Sequence, residues 1–317
     1  MPHIRYAIML FGILALAACN KGKQTMLPDS GGRPYEAILI GDKDSILYNV
    51  LTKNVEALPQ AEPAFDVSMK TALTPTLRLA RSIIVVETDA RKKRTEVKYE
   101  RNVYAEPQII VYVSAPSTAQ LQRDMQQKAS AEALRALLRH QETAIAMARL
   151  ERKHNPKLEA EVRRMFGIDM KIPADMQASR KGRDFIWISN DSPTAMTNIC
   201  IYTSENRDSV MQANIKGETD AMYMTTTPHS VVTTTTTNGN KPTIRRGLWE
   251  MHGDAMGGPF VQHIIKRGEN QAPIVAEAFV YAPGTKKRNL LLNTEAALYT
   301  IEYKPNNKWK TEEYALP

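Results

Sequence analysis

The sequence predicts an α+β protein of two lobes, each a mainly antiparallel sheet packed with helices, joined by a long central helix. Three observations carry this. Ser117 to His154 is filled almost entirely with Ala, Gln, Arg, Leu and Met, all good helix formers. Apolar β-branched runs precede it at 35–40, 82–87 and 108–113. A second set, rich in threonine, valine and aromatics, follows between 184 and 281, with the hairpin signal Asn238-Gly239 inside it.

Taken in order, Asn20 to Gly32 is polar, with Gly22, Pro28, Gly31 and Gly32, and reads as a tether over 19–32. Tyr35 to Ile40 is a buried strand. Gly41-Asp42-Lys43-Asp44 turns into a helix whose apolar positions Ile46, Leu47, Val50, Leu51, Val55 and Leu58 share one face. One glycine there is neither a dinucleotide fingerprint nor a P-loop, so nucleotide binding is set aside. Pro59, Pro63 and Pro75 surround an alternating strand at 65–69. After the strand at 82–87, the basic run Arg91-Lys92-Lys93-Arg94 forms a solvated hairpin loop, and strands follow at 96–104 and 108–113. Ser117 and Gln120 pair as a capping box at the start of the long helix. Thirty-odd residues would span roughly 50 Å unless the helix kinks.

Asn155-Pro156 starts the next helix, with Leu158, Val162, Met165 and Phe166 on its apolar face and Gly167 at its end. Here lies the boundary between an N-terminal lobe, 33–154, and a C-terminal lobe, 155–317. In the second lobe strands are expected at 184–189, around Cys200, and at 221–227, 231–237, 243–251, 259–266 and 274–281. A short helix covers 205–215, and Thr285 caps a last helix running through Leu290, Leu291, Ala296 and Ala297. Residues 80–87 and 182–189 echo each other, which leaves two readings: a duplicated strand–strand–helix unit, or chance likeness between amphipathic segments.

The first nineteen residues give the compartment. Tyr6 to Ala18 is an apolar run behind Arg5, too short for the roughly 20 residues a membrane span needs. Charge, apolar run and small residues come in the order of a secretory signal, 1–18. Its end, Leu16-Ala17-Ala18-Cys19, resembles a bacterial lipobox. That resemblance implies diacylation of the Cys19 thiol, cleavage before it and palmitate-type acylation of the new amine, giving stable membrane attachment. An ordinary signal peptide with an incidental Cys19 is the other reading.

Cleavage would remove one arginine and no acid, so the formal charge falls from +8 to +7. A lipid-anchored protein outside the cytoplasm rarely meets nucleic acid, and anionic head groups or cell-wall polymers are the more sensible partners for a basic surface. Only Cys200 remains after Cys19, so no intramolecular disulfide can form. Its apolar setting, Asn198-Ile199-Cys200-Ile201-Tyr202, marks a buried small hydrophobe rather than a reactive thiol.

Chemistry-bearing patterns are sparse. No His-Glu-x-x-His pair and no second cysteine supports a metal site, and no Gly-x-Ser-x-Gly elbow supplies a nucleophile. His252 and Asp254 form the one acid–base pair to weigh, within Trp249-Glu250-Met251-His252-Gly253-Asp254-Ala255-Met256-Gly257-Gly258-Pro259-Phe260. The plain reading is a glycine-rich connection between strands, with Asp254 accepting backbone hydrogen bonds. The Thr233–Thr237 run reads as a solvated strand face, with sugar binding through its hydroxyls as the alternative. Catalytic, cofactor-binding and metal residues are therefore expected to be none, and lipidation at Cys19 is the site assignment.

Several stretches resemble an uncharacterised lipoprotein family of Bacteroidota, the domain of unknown function 4837 family. They are Leu27 to Glu36, Tyr104 to Gln108, Arg207-Asp208-Ser209-Val210-Met211, Arg246-Gly247-Leu248-Trp249, Gly253 to Phe260, and Glu295-Ala296-Ala297-Leu298-Tyr299. The resemblance is expected to cover nearly all of the mature chain. It implies a Gram-negative envelope and brings no activity, ligand or catalytic residue. The basic Asn20-Lys21-Gly22-Lys23-Gln24 after the cysteine favours an outer-membrane anchor facing the periplasm. The expectation is thus an envelope lipoprotein that is a non-catalytic binding or scaffolding module, needing no small-molecule cofactor. It would be held by lipid at Cys19 and would contact an envelope protein or cell-wall polymer. The alternative is a hydrolase-like envelope enzyme using the His252/Asp254 loop.

Overall fold

The computed structural model describes residues 26–234, 242–268 and 270–303. Its elements run β1 (Glu36–Ile40), α1 (Ile46–Leu51), β2 (Asp66–Lys70), β3 (Ser82–Thr88), β4 (Glu96–Arg101), β5 (Ile109–Ala115), α2 (Thr118–Gln126), α3 (Lys128–Arg152) and α4 (Pro156–Phe166). There follow β6 (Ile168–Asp169), β7 (Ala178–Lys181), β8 (Phe185–Ser189), β9 (Met196–Thr203), α5 (Arg207–Asn214), β10 (Tyr223–Thr226) and β11 (Val232–Thr234). The described chain closes with β12 (Thr243–His252), β13 (Gly257–Ile265), β14 (Ile274–Tyr281), α6 (Arg288–Leu298) and β15 (Glu302–Tyr303). The protein is α+β, and antiparallel pairing predominates.

The first sheet is where parallel pairing enters, in the order β2-β1-β3-β5-β4, with only β4 antiparallel to its neighbour. Parallel strands need a crossover, and α1 and the long loop after it provide one. Period-two alternation sorts the faces. Leu39, Ile84, Val86, Val111 and Val113 point at α1, α2 and α3, whereas Ile40, Ile83 and Ile110 point the other way. Gly41 closes β1 because its φ is +80° and a Cβ there would lie 2.2 Å from the Val86 carbonyl oxygen.

Several local expectations change. α1 ends at Leu51, short of Val55 and Leu58, because the backbone turns back: Ala64 donates to Lys53 and Phe65 to Leu51. The Arg91–Arg94 loop is no hairpin. It carries the chain over β5, which lies between β3 and β4. The long helix is in two pieces, with Gln127 extended (ψ 120°) between α2 and α3. The bend lets Leu121 and Met125 of one piece, and Ala131, Leu134 and Leu138 of the other, enter the same core. Half of the Ser117 capping box forms: Ser117 Oγ accepts from the Gln120 amide at 3.2 Å, while the Gln120 side chain donates to Asp124. The tether stops short as well, since Pro28 to Gly31 already pair with 79–81 and Glu106.

α4 forms as its caps dictate: Asn155 Oδ1 accepts from the Leu158 amide, and Gly167 ends it at φ +68°. The second sheet is antiparallel throughout, in the order β10-β12-β13-β14-β9-β8-β7, with β11 also on β12. One face, with Ile186, Ile188, Ile199, Ile201, Val261 and Ala276, packs under α4 and α6. The other, with Phe185, Tyr202, Trp249, Phe260 and Phe279, packs under α5. At Gly258 a Cβ would lie 2.0 Å from the Val280 carbonyl oxygen, so this sheet closes only around glycine there. Asn238-Gly239 and Thr235 to Thr237 lie outside the described residues.

Duplication is overturned: β3 has parallel neighbours on both sides, whereas β8 sits between antiparallel ones. The likeness of 80–87 to 182–189 is that of two buried strands and nothing more.

Thr285 does not cap α6. Glu62, 225 positions before Lys287, does: 2 % exposed, it accepts from the Lys287 amide at 2.7 Å and the Arg288 amide at 3.1 Å. Arg288 returns to the first lobe through Asp66 (2.7 Å), the Pro63 carbonyl and the Tyr35 ring. Leu292 completes the first core and Leu150 the second.

Candidate functional site

The strongest concentration of buried polarity lies on the α5 face of the second sheet. In register, Gln262 of β13, Glu277 of β14 and Cys200 of β9 stand side by side, with Tyr202 two residues along. Asn206 caps α5 by accepting from the Ser209 amide, which sets Arg207 at the first helical position above them. Arg207 lays its guanidinium over the Phe260 ring, 4.1 Å from the centroid, and reaches Glu277 through Nε (3.0 and 3.1 Å) and Nη2 (2.7 Å). Tyr202 Oη donates to Glu277 at 3.1 Å, and Gln262 Nε2 donates to both. Burial, reinforced by the Glu277 charge, pushes the Tyr202 hydroxyl and the Cys200 thiol well above their ordinary ranges.

Above this network opens a concavity of about 470 Å³, lined by Glu205, Asn206, Asp208, Thr226, Arg245 and the edge of Phe260. Arg207 Nη1 faces it, but donates to Thr226 Oγ1 (3.0 Å), and Asp208 accepts from the Thr226 amide and hydroxyl. The floor is thus a charge pair neutralised from below, and the mouth is polar.

A second cluster joins the other face to α6. Glu295, 2 % exposed, takes Arg246 Nη2 on both oxygens (2.6 and 2.9 Å), Tyr299 Oη at 3.0 Å and His263 Nε2 at 3.3 Å. Burial alone would raise the Glu295 pKa, but the Arg246 charge beside it, helped by His263, outweighs that and holds it down to about 2. The folded pKa lies below the ordinary 4.5, so this stabilisation is complete above pH 4.5 and is lost as pH falls towards 2. Glu142 has the opposite sign: burial lifts its pKa despite Arg81, 3.2 Å away, so acid relieves it. Glu295 should cost about 2 kcal/mol of stability between pH 4.5 and pH 3. Urea unfolding of wild type and Glu295→Gln at both pH values checks this, because the variant should lose the Glu295 part of the slope.

Residues 155–300 match the model of a domain of unknown function (DUF4837). Residues 30–151 match a second model, also a domain of unknown function (DUF8532). The expectation that one family spans nearly all of the mature chain gives way here: the stretches at 27–36 and 104–108 fall outside the DUF4837 match. Neither a curated protein nor a solved structure matches the chain.

Within the DUF4837 region, the stretches that carry the resemblance supply Arg207 to the first buried cluster and Arg246, Glu295 and Tyr299 to the second. Sequence reading passed over their partners Glu277, Gln262 and His263. The signal was a lone acid inside Ile274-Val275-Ala276-Glu277-Ala278-Phe279-Val280-Tyr281, where a buried strand has no solvent for it.

The sequence candidates are placed as follows. Cys19 lies outside the described residues. Cys200 is fully buried. His252 ends β12 and Asp254 sits on the turn to β13, both exposed and not hydrogen-bonded to each other. His252 stacks on Tyr223 with centroids 4.8 Å apart, and Asp254 Oδ1 accepts from the Ala255 amide at 2.6 Å. This is the backbone-accepting role that the plain reading gives Asp254. Thr233 and Thr234 are exposed on β11, a solvated strand face. Among the described residues no group of three or more His, Cys, Asp or Glu could hold a metal ion, and no helix is long and apolar enough to cross a membrane.

Proposed function

We propose that this chain is an envelope lipoprotein, held to the outer membrane through acylated Cys19 and facing the periplasm. Its folded part is a non-catalytic binding or scaffolding module for an envelope protein or cell-wall polymer. The observation that carries the anchor is Leu16-Ala17-Ala18-Cys19 behind a short apolar run. The module reading is supported by the way the charged groups beneath the concavity over α5 are used: Arg207 and Glu277 satisfy each other inside the fold.

The second reading, a hydrolase-like enzyme, is favoured by one observation: His252 and Asp254 both line a shallow concavity of about 430 Å³. Against it, His252 is spent on Tyr223 and Asp254 on its own turn.

In-cell crosslinking and mass spectrometry on the native protein and Cys19→Ala tests the proposal. The native protein should yield an acylated Cys19 peptide, stay in the membrane fraction and crosslink to one envelope protein or wall fragment. Cys19→Ala should be unacylated and released. A native protein with unmodified Cys19, or one acylated yet without a captured partner, overturns the anchor or the module respectively.

A further inference from the structure

The geometry points to a defined membrane-facing corner: Met26, Leu27 and Leu79 rest on the bilayer, and the basic loop Arg91–Arg94 points away from it. This deepens the lipoprotein reading and rests on lipidation at Cys19.

The chain does not leave the domain at a loose end. The Glu106 amide donates to Pro28 (2.9 Å) and Ser30 to Glu106 (3.0 Å). Gly31 donates to Leu79 (2.7 Å) and Arg81 to Gly31 (3.1 Å). Beneath them Gln108, fully buried, donates to the Arg78 and Ala80 carbonyls at 2.6 and 2.7 Å and accepts from the Tyr104 amide. The exit point is therefore a braced plate at the start of β3 and β5.

From Cys19 to Pro28 is nine residues, at most about 30 Å even when fully extended. A domain of this size is roughly 45 Å across, so the pole opposite the exit cannot reach the lipid. Three of the large exposed hydrophobic residues gather at this exit: Met26 (94 % exposed), Leu27 (37 %) and Leu79 (38 %). Leucine and methionine at the end of a short lipid-anchored leash suit the boundary between head groups and acyl chains. Arg78 is exposed beside Leu79 with its guanidinium over the Tyr104 ring (5.2 Å), and the paired Asp29 and Glu106 bring two acids to the same corner against its one cation. The contact is consequently apolar and does not depend on anionic lipid.

The densest basic run lies elsewhere. β3 starts beside the exit and ends at Thr88, seven residues or about 23 Å along the strand, where the loop carrying Arg91 to Arg94 begins. That distance is within the leash's reach, so it is the seating of the apolar corner that turns the loop to the periplasmic side; there Arg91 is paired with Asp89 and Lys92 with Glu96, which leaves Lys93 and Arg94 for an anionic polymer.

The test uses the acylated full-length protein in vesicles, spin-labelled at Leu79→Cys or at Lys93→Cys, with collision accessibility to oxygen and to a water-soluble nickel chelate. Cys200 is buried and stays unlabelled. Leu79 is exposed, so its label should leave the fold intact, and circular dichroism verifies that. The Leu79 label should be oxygen-accessible and chelate-protected in phosphatidylcholine vesicles, equally so with phosphatidylglycerol added, and the Lys93 label chelate-accessible in both. A chelate-accessible Leu79 label, a protected Lys93 label, or protection only with phosphatidylglycerol overturns the orientation while the anchor stands. Failure to co-float with vesicles overturns the anchor itself, and the orientation with it.

Discussion

Replacing Glu277 with alanine should destabilise the protein by about 3–5 kcal/mol, the cost of leaving a buried charge without its partner. Arg207 is 5 % exposed and gives Nε and Nη2 to Glu277. Tyr202 Oη and Gln262 Nε2 end on the same carboxylate. Alanine removes the acceptor for all three and leaves the guanidinium over Phe260 with only the half-exposed Asp208 carboxylate, 3.4 Å from Nη1, to balance it. Urea unfolding followed by tryptophan fluorescence measures the loss, because Trp249 and Trp187 lie in the same core. The double variant Arg207→Met/Glu277→Leu should recover most of it, since matched apolar replacements of a buried pair are often near neutral. A single variant as stable as wild type would show that water reaches this network.

Glu62→Ala should cost about 2–5 kcal/mol. Its carboxylate is the acceptor for two buried amides at the start of α6, and each unsatisfied donor costs roughly 1–3 kcal/mol. A negative charge at a helix N-terminus adds to this. Glu62→Gln keeps one acceptor oxygen but turns a donor toward the other amide, so it should fall between wild type and alanine. Hydrogen exchange locates the effect: the amides of α6 should lose protection first, followed by the parts of the first core that rest on Leu292. Uniform loss of protection would place the role of Glu62 outside the cap.

What could be read from the sequence follows the range of the interaction involved. α4 was legible to the residue because Asn155, Pro156 and Gly167 act within a few positions of themselves. The longer strands were legible from their apolar and alternating runs, and so was the burial of Cys200, whereas the short β6, β7 and β15 carry no such run and were not. The acidic partners were not. Nothing near Arg288 signals that Glu62 will reach it, so the nearby Thr285 took the cap in the sequence reading. The bend at Gln127 was hidden because every residue around it favours helix, and packing against the first sheet decides the angle. Parallel pairing in that sheet was likewise hidden, since β3 followed by β4 looks like a hairpin until β5 is placed between them. The site had the same fate. His252 and Asp254 drew attention by adjacency, whereas Arg207 and Glu277 meet only after the sheet has formed.

The seating of α6 has a consequence for how the protein comes into being. The chain emerges from its amino end, and the first sheet with α1, α2 and α3 is complete long before α6 exists. Until then the Leu292 socket is empty, and Glu62 and Asp66 are carboxylates without their amides and guanidinium. Without α6 the first lobe therefore keeps an apolar cleft beside unspent negative charge. Arrival of residues 287–292 fills that cleft. Completion of the first lobe in this way waits on the docking of the last helix.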